Sequence, residues 1–248
     1  MTQGLPPHAI IRPLTLRDLD KFLEVENIGF TNPDERCTPE KARYRLRVCP
    51  ELSAGVFVRT YDTDDKDKED DEQQPDGKAL DPGNDEDYED IDEEGDRSRN
   101  GVLPAGVSSC SGERLIAHIL ATKTDADTLT DESMELPERD EYDRTKDRSD
   151  PRGHKEEGRT ICIHSVVVHP DYQGQSIGTI LLRDYIQRLT TQHIADKIAL
   201  IAHDHVAPFY QRLDFQDMGP SDCKFTGGGW RALWLPLSDR DDDEEDDE

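Results

Sequence analysis

The sequence lacks any long apolar segment. No run approaches the roughly 18 consecutive apolar residues that a membrane-spanning helix requires, and hydrophobic residues make up only 33% of the chain. The first 14 residues have neither the basic start nor the apolar stretch of a secretory signal. We therefore predict a cytoplasmic protein that does not contact a membrane.

Cysteine is scarce, and its spacing is uninformative for zinc or disulfides. The five cysteines are odd in number and widely scattered, without the close pairs that structural zinc sites or small disulfide-rich domains use. This pattern predicts a reducing compartment and no metal cofactor. The five are Cys37, Cys49, Cys110, Cys162 and Cys223.

Basic residues are outnumbered, and the imbalance is local. The 248-residue chain has a formal net charge of −27 at pH 7. Residues 62–96 contain 19 Asp and Glu against 3 Lys, and residues 239–248 contain 9 Asp and Glu against 1 Arg. The rest of the chain is close to neutral, so no basic surface for nucleic acid is predicted.

The acidic runs define the predicted domain organisation. Segments with so much like charge and so little to bury do not form a core. We predict one domain over 8–236, interrupted by a disordered acidic insert at 61–101 and a flexible polar loop at 135–158. A disordered acidic tail follows at 237–248, and we expect a monomer.

Hydrophobic periodicity and capping residues predict alternating strands and helices. The pattern opens strand–helix–helix–strand and later alternates, which favours an α+β fold with one mixed sheet flanked by helices. The predicted strands are 8–14, 55–59, 114–123, 160–169, 197–202 and 231–235, and the predicted helices begin at 15, 38, 180 and 207.

A loop of small residues follows the most β-rich strand and leads into a helix. Gln173–Gly178 (QGQSIG) offers unpaired backbone N–H groups at a helix N-terminus, where the helix dipole favours an anion. The spacing fits a phosphate cradle. It also fits a tight strand-to-helix turn that binds nothing, so on spacing alone both interpretations stay open.

Three side chains near this loop are candidates for chemistry. Cys162 and His164 are two apart on the preceding strand and so share a side of it. Tyr210 lies just inside a short helix that follows the next buried strand. If the two strands are neighbours, the loop, His164 and Tyr210 converge at one end of the sheet.

These segments resemble a known family. The run HPDYQGQSIG followed by HDHVAPFYQRLDF looks like the acetyl-CoA motifs of the GNAT N-acetyltransferase superfamily. Together with CPELS at 49–53 and ICIHSVVVH at 161–169, it is similar to serotonin (arylalkylamine) N-acetyltransferases and their fungal polyamine-acetylating relatives. The resemblance implies a mostly antiparallel GNAT sheet and direct transfer of acetyl from acetyl-CoA to a primary amine.

The resemblance also implies residue roles. Tyr210 matches the acid that protonates the leaving thiolate, and His164 matches one of two histidines that relay a proton from the amine. Phe30 falls where the family places an aromatic wall against the substrate, and Leu52, the other implied substrate contact, lies in the CPELS segment. The implied acetyl-CoA contacts are Val166, Val167, Val168, Gln173, Gly174, Gln175, Ser176, Ile177, Gly178 and Thr179.

Two positions depart from the family pattern. Ser176 stands where the loop usually has glycine, and we expect the cradle to survive because serine is small and keeps its N–H. Cys162 stands where vertebrate enzymes have the second histidine. The proton path is therefore expected to use His164 with water or Cys162.

Several functions remain open from the sequence. The resemblance makes an arylalkylamine the first choice of substrate and a polyamine the second. An aromatic amine needs apolar walls such as Phe30 and Leu52, a polyamine needs spaced carboxylates, and the sequence leaves open which of these lines the pocket. A protein N-terminal or lysine acetyltransferase would need an open groove. A non-catalytic acyl-CoA-binding module is the alternative of a different class.

Overall fold

The computed structural model describes residues 4–61, 110–142, 144–147 and 149–237. Its contacts divide the chain into one unit of residues 1–59 and 113–248 and another of residues 60–112. The first unit contains the helices, the site discussed below and all of the sheet except the last two residues of the second strand and the first three of the third. Apart from positions 61 and 237, the predicted acidic insert and tail lie outside the described residues.

The strands form one mixed, mostly antiparallel seven-stranded sheet in the order β1-β2-β3-β4-β5-β7-β6. The sheet and its flanking helices confirm the predicted α+β fold. Among the pairings given, only β4 and β5 run parallel. The strands are β1 (Ala9–Arg12), β2 (Ala54–Tyr61), β3 (Cys110–Thr124), β4 (Thr160–Val168), β5 (Lys197–Ala202), β6 (Gln216–Pro220) and β7 (Arg231–Pro236).

Five α-helices and five short 3₁₀ turns surround this sheet in the described part of the chain. Among these residues, no helix combines the length and the apolar character that crossing a membrane demands. The helices are α1 (Leu19–Gly29), α2 (Pro39–Val48), α3 (Asp131–Met134), α4 (Ile177–Gln192) and α5 (Ala207–Gln211). The 3₁₀ turns are Leu16–Asp18, Pro33–Glu35, Pro50–Leu52, Pro170–Tyr172 and Phe225–Gly227.

Local signals account for the start of α2. The Thr38 hydroxyl accepts a hydrogen bond from the Lys41 N–H at 3.2 Å, and Pro39 occupies the first turn. A threonine cap satisfies one of the free N–H groups of that turn, and proline there loses no helical hydrogen bond. The predicted start at residue 38 is therefore the observed N-cap.

The two sides of the sheet carry separate apolar layers. On one side, α4 buries Leu181 and Tyr185 against β4 residues such as Ile163. On the other side, Phe22 of α1 and Val167 of β4 belong to the layer that includes α2. Strand β4 therefore lies in the middle of the fold, with α1 on one face and α4 on the other.

Candidate active site

Strands β4 and β5 are paired over only part of their length. Their parallel pairing runs from Thr160 opposite Lys197 to Ile163 opposite Leu200. Strand β4 then continues to Val168 without β5 as a partner, although it stays paired to β3 on its other edge. The separation opens a gap in the sheet and leaves one edge of β4 free to pair with a ligand.

A β-bulge in β4 lies where the strands separate. Ser165 lies opposite Leu120 and Ile163 opposite Ala121, so His164 has no partner residue on β3. A bulge inserts one residue and changes the direction of the side chains around it. His164 and Ser165 are adjacent, yet both contact groups on the side of the sheet that carries α1 to α3.

A cavity of about 400 Å³ occupies the gap between β4 and β5. Four of the predicted site residues line it, namely Phe30, His164, Val166 and Tyr210. The structure thus brings the predicted base, the predicted acid and the predicted aromatic wall to one cavity. The sequence prediction that they converge is consistent with this arrangement.

Tyr210 meets the cavity from α5. The residue is buried, and its ring lies edge-on to Phe209 and Phe215, with centroids 5.1 and 5.6 Å away. Burial raises the pKa of its phenol well above the ordinary value, so the hydroxyl is protonated at neutral pH. That hydroxyl makes no hydrogen bond to any residue that the structure describes, which leaves it free to donate to a ligand.

His164 lines the cavity with both ring nitrogens already in contact. Nε2 lies 2.8 Å from the Thr122 hydroxyl, and Nδ1 lies 3.2 Å from the Met134 sulfur. Burial lowers its pKa well below the ordinary value, with a further contribution from the positive charges of Arg45 and Lys41. The ring is therefore neutral at pH 7 and a weak base.

The loop before α4 has the geometry that the sequence predicted. Gly174 and Ser176 have positive φ angles of 73° and 64°, and the 16-residue helix α4 begins at Ile177. Among the described residues, no protein acceptor lies on the backbone N–H groups of 174–179. Successive free N–H groups at a helix N-terminus suit an anion such as a diphosphate.

Side chains hold this loop against the end of β4. The Gln173 amide donates to the Val168 carbonyl at 3.0 Å, and the Gln175 amide donates to the Asp171 carbonyl at 3.2 Å. A Cβ on Gly178 would lie 3.3 Å from the Val168 side chain. The helix start is therefore packed closely on β4, and a side chain at position 178 would require Val168 to move by a few tenths of an ångström.

Replacing Ser176 with glycine is expected to stabilise the protein. Ser176 has a left-handed φ of 64° at the N-cap of α4 and makes no side-chain capping hydrogen bond. Such a conformation costs an L-residue roughly 1 kcal/mol relative to glycine. Thermal unfolding of Ser176→Gly should show a higher Tm with unchanged coenzyme affinity. A lower Tm would mean that the serine hydroxyl contributes more than the strain costs.

Two residues predicted to act in the chemistry or to bind the amine lie away from the cavity. Cys162 is fully buried beside Met134 and Cys223, and burial raises the pKa of its thiol to about 12. Leu52 is fully buried in the core, where its carbonyl accepts a hydrogen bond from the Tyr185 hydroxyl at 2.8 Å. Neither side chain belongs to the cavity lining, whereas Phe30 does.

The cavity also has walls that the sequence analysis did not assign. Trp230 stacks on His203 with ring centroids 4.1 Å apart, and Phe225 lies 6.2 Å beyond Trp230. Glu35 lines the same cavity and lies 3.2 Å from the His203 ring. The segment after β6 has no periodic pattern of apolar residues. Its two aromatic residues, Phe225 and Trp230, are the sequence signal that could have identified these walls.

Comparisons with known proteins identify the domain. The family described as "Acetyltransferase (GNAT) domain" matches residues 149–227, which span β4, the loop, α4 and α5. Residues 149–227 carry the signature of an acetyltransferase domain of the GNAT type. Serotonin N-acetyltransferase of Mesocricetus auratus is 25% identical over 94% of this chain and 78% of its own length. The serotonin N-acetyltransferases of Pan troglodytes, Macaca mulatta and Homo sapiens are 30–31% identical over 46–51% of this chain. The aligned segments cover 47–52% of those three proteins.

Solved structures share the fold at low sequence identity. The loading GNATL domain of CurA from Lyngbya majuscula superposes with a TM-score of 0.53 at 11% identity, over 92% of this chain and 96% of that one. The GNAT-like decarboxylase GphF, solved with isobutyryl-CoA, gives a TM-score of 0.50 at 10% identity, over 92% and 99% of the two chains. The GNAT fold of this chain thus extends well beyond residues 149–227.

Proposed function

We propose that this GNAT protein transfers acetyl from acetyl-CoA to the primary amine of an arylalkylamine of the serotonin or tryptamine type. The observation that carries the proposal is the composition of the cavity wall. Phe30, Phe225 and Trp230 supply aromatic surface, and Glu35 is the only carboxylate that the described residues bring to the lining. A flat aromatic amine fits such walls, whereas an extended polyamine requires several spaced carboxylates.

The acetyl-CoA site is proposed on the loop and the free edge of β4. The diphosphate would take the backbone N–H groups of 174–179, and the pantetheine arm would pair with 166–168 as an added strand. The N–H groups suit the diphosphate because no acceptor among the described residues bonds to them. The edge of β4 suits the pantetheine arm because β5 does not pair with it beyond Ile163. The Val166 N–H would then stabilise the thioester oxygen as it becomes negative.

The proposed chemistry is a direct attack of the amine on the thioester. An alkylamine has a pKa of about 10, so it must lose a proton before it attacks. The Tyr210 hydroxyl is protonated and has no hydrogen-bond partner among the described residues, so it would donate its proton to the departing thiolate. His164, with Cys162 or water, remains the prediction from the sequence for the group that takes the ammonium proton.

A thiol-release assay tests the proposal directly. Purified protein with acetyl-CoA is offered tryptamine, spermidine and a peptide, and CoA release is followed as kcat/KM for each. We expect tryptamine to exceed spermidine by at least tenfold, because Glu35 alone cannot pair with the additional ammonium groups of spermidine. A preference for spermidine would favour the polyamine alternative. No release with any amine, despite CoA binding, would favour a non-catalytic binding module.

A further inference from the structure

A buried polar cluster lies behind the cavity, between α1 and the sheet. It consists of Glu26 on α1, His118 on β3 and Ser165 on β4, which are 1%, 0% and 3% exposed. The Ser165 hydroxyl lies 2.6 Å from Glu26 Oε2, and His118 Nε2 lies 2.8 Å from the same oxygen. His118 Nε2 and Ser165 Oγ are 3.1 Å apart, so the three groups form a closed triangle.

The rest of the cluster is satisfied except at one atom. Glu26 Oε1 accepts the Cys37 N–H at 2.8 Å. His118 Nδ1 is buried and has no hydrogen-bond partner among the described residues. A ring with its proton on Nε2 donates to Glu26 and leaves Nδ1 as a bare acceptor. In this tautomer Glu26 receives three donors without a formal positive charge in direct contact.

Stability alone does not account for such a cluster. Replacing a buried charged pair by well-packed apolar residues is often neutral or stabilising, so burial of a carboxylate needs another reason. Buried ionisable groups beside a cleft are frequent at functional sites. Here the cluster touches the cavity through one member, because Ser165 lines it between His164 and Val166.

His164, the base that the sequence suggests, is less well placed to accept a proton. Its ring nitrogens contact Thr122 and Met134, and protonating it would bring a third positive charge near Arg45 and Lys41. Glu26 reaches the cavity only through Ser165, but its carboxyl oxygen already accepts a hydrogen bond from that hydroxyl.

We propose that Ser165 and Glu26 remove the ammonium proton of the amine substrate, with Ser165 as the catalytic residue and Glu26 and His118 as positioning residues. The inference rests on the proposed acetyl transfer and deepens it. As the substrate N–H bond breaks, its proton bonds to Ser165 Oγ. The original hydroxyl proton of Ser165 passes to Glu26 Oε2, so the serine ends neutral and the carboxylate becomes a carboxylic acid.

The remaining steps balance without another reactant. The neutral amine attacks the thioester, a C–N bond forms, and collapse of the intermediate breaks the C–S bond. The nitrogen loses its second proton in that collapse to the Tyr210 oxygen, which has given its own proton to sulfur. One proton is released per turnover. When the products leave, it passes from Glu26 through Ser165 to the solvent.

The other ionisable groups around Glu26 do not confuse a pH study. Besides His118, the neighbours are Cys37, which follows α1, and Arg45 of α2, whose guanidinium lies 3.6 Å from the Cys37 sulfur. Burial raises the pKa of the Cys37 thiol to about 11, and arginine keeps its charge. Neither group changes its charge appreciably between pH 6.5 and 9.

The pH profile of Ser165→Ala tests the proposal. Without the relay, the variant depends on amine that is already neutral, and that fraction rises about tenfold per pH unit below a pKa of about 10. We expect kcat/KM for tryptamine to fall about 100-fold at pH 7. The deficit should close near pH 9, while the wild type changes far less. Glu26→Gln should show the same profile.

Controls separate the relay from a structural effect. Unfolding curves show whether each variant folds. If Glu26→Gln does not fold, the pH profile of Ser165→Ala alone decides between the relay and a structural effect. Ser111→Ala removes an exposed serine hydroxyl outside the cavity lining and should retain the wild-type profile. A pH-independent deficit in Ser165→Ala, or a deficit that closes at high pH in His164→Gln instead, would overturn the relay. A wild type without CoA release would overturn the acetyl transfer itself.

Discussion

Replacing Tyr210 with phenylalanine is expected to lower kcat for acetyl transfer about 10- to 1000-fold. The substitution removes only the hydroxyl, which is the proposed proton donor to the CoA thiolate. A thiolate is a better leaving group than an alkoxide, because a thiol has a pKa of about 8.5. The effect should therefore fall towards the lower part of the range for general acids. Steady-state kinetics with acetyl-CoA and tryptamine measures it.

The position of Tyr210 makes this test clean. Its hydroxyl has no hydrogen-bond partner among the described residues, and its ring packs against Phe209 and Phe215. The phenylalanine variant should therefore keep the wild-type Tm and affinity for CoA. Tyr142→Phe is the matched control, because Tyr142 is 69% exposed and remote from the cavity lining. An unchanged kcat for Tyr210→Phe would remove this residue from the mechanism.

The elements with strong local signals are the ones that the sequence predicted best. Strand β5 has the predicted bounds of 197–202, and α2 begins at the predicted cap. The loop before α4 was found because small residues between a β-rich strand and an apolar helix have few alternatives. Strand β6 was missed, because QDMGP contains glycine, proline and aspartate and lacks apolar alternation.

The cavity itself was less predictable. The bulge at His164 and the end of pairing at Ile163 depend on how β3 and β5 align with β4. The sequence of β4 alone predicts neither of these two features. Leu52 illustrates the cost of this, since its apolar character suits a substrate wall and a core position equally. The structure places it in the core, away from the cavity lining.

The Glu26 cluster had a signal that local reasoning does not use. Glu26 falls at helical spacing on the apolar face of α1, and His118 interrupts an apolar strand. Each is a polar residue in an apolar pattern, which indicates a buried partner. The two are 92 residues apart, so only the tertiary structure pairs them. For Ser165 the sequence offers no signal beyond its place next to His164, the residue that matches the family motif.

Gly29→Ala is expected to destabilise the protein by roughly 1–3 kcal/mol and to impair acetyl transfer. A Cβ on Gly29 would lie 2.1 Å from Cγ1 of Val167, far inside van der Waals contact. Val167 is buried, and its β-branched side chain has little rotational freedom to move aside. The clash therefore outweighs the gain of about 1 kcal/mol in helix propensity that alanine brings to α1.

The clash would also reach the site, which distinguishes this variant from an ordinary core defect. Val167 lies between Val166 and Val168 on the free part of β4, and Gly29 precedes the cavity residue Phe30. Displacing α1 from β4 should raise KM for both acetyl-CoA and tryptamine. Gly4→Ala is the matched control, because nothing lies within 4 Å of its added Cβ. Denaturant unfolding together with both KM values provides the test. A Gly29→Ala protein as stable as Gly4→Ala would show that α1 can move away from β4 at little cost, contrary to the close packing on which the cavity depends.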